Sequence, residues 1–235
     1  MNKKAKLHFK AVIFDMDGVI TNTMSYHFDA WLATLASVGI KVNCYDVYER
    51  EGQDGLSTIR ELYKEHNRKF NLQDAKKLLA GKEELFKHSV KIKFIKGARP
   101  FLRYLKKRKV NLGLVTGTSR HEVVRIMPKD LLKLFEVTVT GDEVRKSKPN
   151  PEPFLKAIKR MKVGRKDAVV IENAPFGIQA AKRAGLFCIA LETSLPAKYL
   201  RQADLICKSF RELKQVLTPG HIGLAGVHLY VRRET

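Results

Sequence analysis

Asp15 and Asp17 lie two positions apart in the apolar run AVIFDMDGVI, residues 11–20. Successive strand side chains alternate faces, so this spacing predicts two carboxylates pointing the same way. Side by side they repel and raise each other's pKa, which requires a cation or strong donors from elsewhere in the chain. Three further clusters could supply them. In Thr116-Gly117-Thr118-Ser119 the glycine admits close backbone approach, and the following helix start offers free N–H groups that suit a phosphate. Lys148 stands in KSKPNPEPF, ahead of a proline-rich helix start. Glu172 and Asn173 end the run DAVVIEN. Singly, each has a bland reading: a threonine after a strand caps a helix, and a lone lysine is solvated. Four such clusters in order, each at the end of a strand or in a loop, point to one shared site.

The elements that must position them follow from hydrophobic periodicity. Residues 10–16, 110–116, 136–140, 167–173, 187–191 and 203–207 read as short buried strands. Helical patterns separate most of them at about 119–127, 151–162, 175–184 and 209–217. This alternation predicts an α/β fold with a doubly wound parallel sheet covered on both faces. In such sheets ligands bind at the C-terminal ends of the strands, where all four clusters fall. Residues 21–92 differ. Phe28, Trp31, Leu32, Leu35 and Val38 recur at helical spacing, and further helices are predicted at about 54–66 and 73–89, with no strand. The expected organisation is a discontinuous α/β core, 1–20 and 93–235, carrying a small α-helical insert, 21–92. The tail from 218 to 235 follows Pro219-Gly220 and reads as an added edge strand or a disordered end.

Composition narrows the partners. The chain has 45 Lys plus Arg against 24 Asp plus Glu, a formal net charge of +21, which favours anionic partners. The basic residues are dispersed, and the run KKRK at 106–109 closes a predicted helix, where cations offset the dipole. No apolar run reaches the roughly 20 residues of a membrane span, and the start MNKKAKLHFK lacks a signal-peptide pattern. A cytoplasmic protein acting as a monomer is expected. Cys188 and Cys207 lie in apolar runs and Cys44 has no metal-type spacing, so a reduced compartment fits.

FDMDGV, VTGT, SKPNPEPF and VIENAPFGIQAAKRAG resemble the four motifs of the haloacid dehalogenase (HAD) superfamily, and the insert resembles the helical C1 cap of its β-phosphoglucomutase-like subgroup. The resemblance spans nearly all of residues 9–217. It implies a Mg²⁺-dependent phosphatase acting on a small phosphorylated metabolite. Asp15 would be the nucleophile and form an aspartyl-phosphate, and Asp17 the general acid and then base. Thr116, with the N–H groups of Gly117 and Thr118, would hold the phosphoryl oxygens, and Lys148 would offset the charge that builds up. Mg²⁺ would bind Asp15, the backbone carbonyl of Asp17, and Glu172 and/or Asn173. Asn173 stands where an acidic residue is commoner, and supplies an oxygen without charge.

Within the insert, NTMSYHFDAW resembles the first cap helix of β-phosphoglucomutases, which carries His27 and Trp31 over as substrate-side residues. Trp31 reads first as cap core, and His27, off the apolar stripe, reads equally as a site residue or as surface. Glu51, in REGQDGLST, resembles cap loops of phosphatase-like and pyrophosphatase-like members, with a solvated loop as the alternative. The mutase pattern is incomplete: Gly55 replaces the arginine that grips a second phosphate, and the lysine expected after the second motif is missing. Arg50, Arg60 or Arg120 would have to compensate. Simple hydrolysis is therefore expected over a sugar-phosphate mutase or an inorganic pyrophosphatase. The charge keeps a nucleic-acid-binding protein on the same scaffold as a rival of another class, against which stand the complete catalytic set and the lack of an aromatic-plus-basic recognition motif.

Overall fold

The structure, a computed structural model, describes residues 9–218 and 221–222. Six parallel strands form one sheet: β1 (Ala11–Phe14), β2 (Asn111–Val115), β3 (Val137–Val139), β4 (Ala168–Glu172), β5 (Phe187–Leu191) and β6 (Leu205–Cys207), in the order β3-β2-β1-β4-β5-β6. The strands match the expected runs with trimmed ends. Each is short and apolar because both faces are covered: Val12 and Phe14 pack into one layer of core, Ala11 and Ile13 into the other. Strand order reverses between β1 and β4, the crevice position for ligands in open sheets.

One face is covered by α5 (Ala98–Lys107), α6 (Arg120–Ile126) and α10 (Phe210–Val216). Helix α5 buries Ala98, Phe101, Leu102 and Leu105, one stripe at i, i+3, i+4 and i+7. The other face is covered by α8 (Glu152–Met161) and α9 (Pro175–Arg183), both with proline in the first turn, where its missing N–H costs nothing. The short helix α7 (Lys129–Leu132) between α6 and β3 is a single turn, too short to show as a period in the sequence.

The segment after β1 is helical throughout: α1 (Met24–Ala36), α2 (Cys44–Tyr48), α3 (Gly55–Glu65) and α4 (Leu72–Ser89). Its own core gathers Trp31, Leu35, Ile40, Val47, Ile59 and Leu62. Helix α2 escapes the periodicity because it spans only five residues; its signal is local, a reciprocal capping box between Asn43 and Asp46. The chain leaves and re-enters the sheet domain at neighbouring points, with the Asn22 N–H donating to the Lys93 carbonyl at 2.8 Å and the Ile95 N–H to Ile20 at 2.9 Å.

Among the described residues, strands β7 (Leu217–Thr218) and β8 (His221–Ile222) pair with each other, antiparallel, apart from the six-stranded sheet. The rest of the tail, from 223, lies outside the described residues. Cys188 and Cys207 are core residues, and burial pushes the Cys207 thiol up to about 12, while Cys44 is exposed. Among the described residues no helix is long and apolar enough to cross a membrane.

Candidate active site

Asp15 immediately follows β1, and its N–H donates to the Ile171 carbonyl of β4 at 3.0 Å, continuing the ladder. Asp17 lies past the end of β1, in an isolated bridge with Thr21. The two carboxylates accordingly meet different partners.

Lys148 Nζ lies 2.6 Å from Asp15 Oδ1 and 2.7 Å from Glu172 Oε1. All three side chains are 1% exposed. Burial pushes the Asp15 carboxyl well up, against the pull of Lys148. The anion that adds most to that rise is Glu172, while Asp17 contributes least of the charges around it. The repulsion expected from the neighbouring aspartate thus comes chiefly from the end of β4. Lys148 would lose its charge to burial alone, but the two carboxylates outweigh this and hold it more firmly protonated than a free lysine. Lys148 reaches them from the loop before α8, where the Lys148–Pro149 peptide is cis.

Asp17, fully buried, accepts from the hydroxyls of Thr21 and Thr23 on Oδ1 and from Thr118 Oγ1 at 3.0 Å on Oδ2. His27 Nε2 stands 3.5 Å from Oδ1. Burial alone would raise the Asp17 carboxyl, but His27, then the hydroxyls of Thr23 and Thr118, outweigh it and bring it to about 2. The Thr118 hydroxyl goes to Asp17 and its N–H to Thr116 Oγ1 at 3.1 Å. Thr116, 3% exposed, follows β2 directly.

Two buried oxygens at this crevice have no hydrogen-bond partner, Asp15 Oδ2 and Asn173 Oδ1. Asn173 Nδ2 donates to Ser194 Oγ at 2.9 Å, which turns the amide oxygen away from that contact. Glu172 meets Lys148 on Oε1 and accepts the N–H groups of Asn173 (2.8 Å) and Ala174 (3.2 Å) on Oε2. Of the residues expected at a metal, it is therefore the neutral Asn173, with Asp15, that presents open oxygen. Hard oxygen donors, one anionic and one an amide, fit Mg²⁺. Among the described residues no three His, Cys, Asp or Glu side chains are grouped to hold a metal.

A cavity of about 480 Å³ opens over this crevice between the helical insert and the sheet domain. Gly117 and Thr118 floor it, and His27, Trp31 and Glu51 line its insert side. His27 is not on the surface: its ring stacks on Phe86 at 4.1 Å and its side chain is 11% exposed. Trp31 belongs both to the insert's core and to the cavity wall. Glu51 is half-buried there, and burial raises its carboxyl against the charges of His27, Lys82 and Lys148. Gly52, at φ +80, rests directly on Lys148, and a Cβ on Gly117 would lie 2.9 Å from the Gly52 backbone. Side chains at either position would wedge the insert away from the phosphate-sized floor.

Sequence reasoning misses Lys82. Its Nζ sits 3.1 Å from His27 Nδ1 and 5.4 Å from the Trp31 ring, in a side chain only 8% exposed. A signal is present: Ala75, Lys82 and Phe86 share the buried stripe of α4, and a lysine on an apolar stripe is a residue with a partner. The three arginines that could have gripped a second phosphate are committed elsewhere. Arg50, 5% exposed, pairs with Glu49, Glu61 and Glu65. Arg60 stacks on Phe70, and Arg120 holds Glu143 and the Thr138 carbonyl.

Residues 12–191, more than half of the chain, match the family model described as haloacid dehalogenase-like hydrolase. A phosphorylated carbohydrates phosphatase of Thermotoga maritima is 35% identical over 75% of this chain and 82% of its own length. A validoxylamine A 7'-phosphate phosphatase of Streptomyces hygroscopicus subsp. limoneus is 30% identical over 88% of this chain and 96% of its own. A Bacteroides vulgatus structure described as a β-phosphoglucomutase superposes with a TM-score of 0.80 at 31% identity, covering 89% of this chain and 87% of that one.

Proposed function

The chain belongs to the haloacid dehalogenase-like hydrolases, and from that premise we propose that it is a Mg²⁺-dependent phosphatase of small phosphorylated carbohydrates, with residues 21–92 as its cap. The observation that carries this reading is the buried Asp15–Lys148–Glu172 group with Asp15 Oδ2 unpartnered, while Asp17 is tied through Thr118 to the cavity. An Asp15 carboxylate oxygen attacks phosphorus, the ester P–O bond breaks, and the leaving oxygen takes a proton from Asp17. Water then attacks the aspartyl-phosphate, giving its proton to Asp17, and phosphate leaves with Asp15 restored. Thr116 and the Gly117 backbone orient the phosphoryl oxygens, and Lys148 offsets their charge. Asp15, the Asp17 carbonyl and Asn173 would hold Mg²⁺, with Glu172 fixing Asn173 and Lys148 in place; the ion would offset repulsion between carboxylate and phosphate.

Asp17 rests ionised, the form the water step needs. For the ester step it needs a proton, and His27 is placed to relay one. With Lys82 donating to Nδ1, the ring proton sits on Nε2, facing Asp17.

Asn173→Asp adds a charge to the proposed ion site, and Ser194 Oγ can donate to the new carboxylate. The Mg²⁺ concentration for half-maximal activity should fall roughly tenfold, while chelation abolishes activity in both proteins. An unchanged Mg²⁺ midpoint would remove Asn173 from the site.

Phosphatase and mutase part ways once the phosphoryl group has been transferred. A mutase must hold a bisphosphate in two orientations, and the arginines that could clamp its second phosphate here are paired with carboxylates or stacked. A screen of phosphate esters and pyrophosphate with Mg²⁺ should give phosphate release from one or more sugar or polyol phosphates. It should give little conversion of glucose 1-phosphate to glucose 6-phosphate, even with a bisphosphate primer. Primed isomerisation that outruns phosphate release would transfer the chain to the mutases.

A further inference from the structure

Basic residues dispersed along the sequence converge at the N-terminal edge of the sheet, the end away from the candidate active site. The exit of α5, the residue ahead of β1 and the turn Arg165–Asp167 ahead of β4 meet there. Backbone bonds fix the meeting: the Asn111 N–H donates to the Lys10 carbonyl at 3.0 Å, and the Lys10 N–H to that of Asp167 at 2.7 Å. The exit of α8 joins them, because its last residue, Met161, packs against Gly113 of β2. Six exposed cations stand on these segments: Lys10, Lys107, Lys109, Lys162, Arg165 and Lys166. Among the described residues Lys10 pairs with Asp167 at 3.4 Å, and the other five make no ion pair. Two further carboxylates that precede strands at this edge, Glu136 and Asp204, are taken by Lys106 and Lys182.

Two of these lysines occupy a backbone conformation that disfavours them. Five helices of the described residues end in one motif: a residue past the helix turns left-handed, and the next N–H reaches back five residues. Helices α1, α3 and α9 use Gly39, Asn67 and Gly185 there, at φ +71, +53 and +73, residue types that tolerate it. Helices α5 and α8 instead use Lys109 and Lys162, at φ +59 and +55, where the Cβ crowds the following carbonyl. The helix dipole accounts for cations within a last turn. It does not account for a lysine past the end, since α9 has Lys182 and Arg183 in its last turn and still closes with glycine. Both exceptions fall at the same edge, and strained backbone of this kind marks surfaces that are used.

We propose that this edge binds the phosphate backbone of a nucleic acid without reading its bases. The inference goes beyond the phosphatase reading and does not depend on it. Lys10 and Asp15 flank β1 at opposite ends, about 16 Å apart, so both surfaces can be occupied at once. Neighbouring strands lie about 4.8 Å apart, so the cations leading into β2, β1 and β4 form a row. Its spacing is of the same order as that of phosphates along a nucleic-acid strand, about one per 3.4 Å of axis. No platform for stacking bases accompanies the row: Phe9 is buried, and the Tyr104 ring is flanked by Arg108 and Lys214. A membrane fits less well, because the exposed large apolar side chains, Leu32, Leu72, Leu85, Ile92 and Val124, lie on none of these segments.

The test is fluorescence anisotropy of a labelled DNA duplex of about 20 base pairs with the full-length protein. Binding should be micromolar at about 0.1 M NaCl, and log affinity should fall linearly with log salt at a slope of about −4 to −5. The double variant Lys109→Gly, Lys162→Gly should lose at least about tenfold in affinity and flatten the slope by about two. Its thermal unfolding should stay at or above that of the wild type, because glycine is the ordinary residue in that conformation. Lys10→Gln with Lys166→Gln, which leaves both helix ends as they are, should weaken binding by a similar factor. Lys76→Gln with Lys77→Gln, exposed lysines on α4 of the insert, removes the same charge elsewhere and should leave affinity nearly unchanged. No binding at about 50 mM NaCl, a salt-insensitive affinity, or equal losses in the edge and α4 variants would each overturn the proposal. So would tighter binding to phosphatidylserine vesicles or to polyglutamate than to the duplex.

Discussion

Asp15→Asn should bring phosphate release to near background, a loss of at least about four orders of magnitude, with the fold retained. The substitution keeps the shape of the side chain and an oxygen for Lys148 Nζ, 2.6 Å away in the wild type. It removes the attacking electron pair, because an amide is no nucleophile towards a phosphate dianion. Lys148 keeps its second partner, Glu172. The new amide N–H₂ replaces an oxygen that had no partner and costs about 1–3 kcal/mol if left unsatisfied. Offsetting this, the variant no longer buries a carboxylate that its surroundings push towards protonation. Phosphate release and thermal unfolding measured side by side separate the two effects. Activity above about a hundredth of wild type in a folded protein would take the covalent role away from Asp15.

Lys148→Met should lower kcat/KM on the order of 10³-fold and destabilise the fold by about 3–5 kcal/mol at neutral pH. Methionine fills much of the same volume, so the loss isolates the charge. Without the ammonium, Asp15 and Glu172 face each other buried, each 1% exposed. Asp15 already binds its proton more tightly in the native state than in the unfolded chain, and losing Lys148 raises its pKa further. A carboxyl whose native pKa is raised destabilises the fold above that pKa, and the penalty disappears as pH falls through it. Denaturant titrations of both proteins from pH 7.5 down to 5 should therefore show the gap in stability narrowing towards acid. A gap that stays constant, or wild-type turnover in the variant, would mean that Lys148 does not bridge these carboxylates.

The parts of this molecule that are legible in its sequence are those fixed by local chemistry. Strands such as AVIF and AVVIE announce themselves because both faces are buried, and Asp15, Thr116, Lys148 and Glu172 can be located by the strand and loop ends they occupy. The hidden parts depend on long-range packing. Lys82 meets His27 only because α1 lies against α4, 55 residues apart in sequence. Asp17 lies past the end of β1 at Phe14, so strand alternation alone does not say which partners each carboxylate meets. Thr118 can be placed near the phosphate floor, but not its bond to Asp17, which joins residues 101 positions apart.

The two chain crossings between insert and sheet lie side by side, tied by the Asn22–Lys93 and Ile20–Ile95 backbone bonds and the Thr21–Phe94 bridge. For heredity this is a cassette boundary. Exchange of everything between the crossings for another helical cassette would leave the ends of β1 and α5 where they are, so ligand preference can be inherited separately from bond-breaking chemistry. The junction is not neutral, however, because Thr21 and Thr23 both hold Asp17. A chimaera cut before Thr21 would import foreign partners for that aspartate, whereas one cut after Thr23 would keep both hydroxyls and still need a replacement for His27.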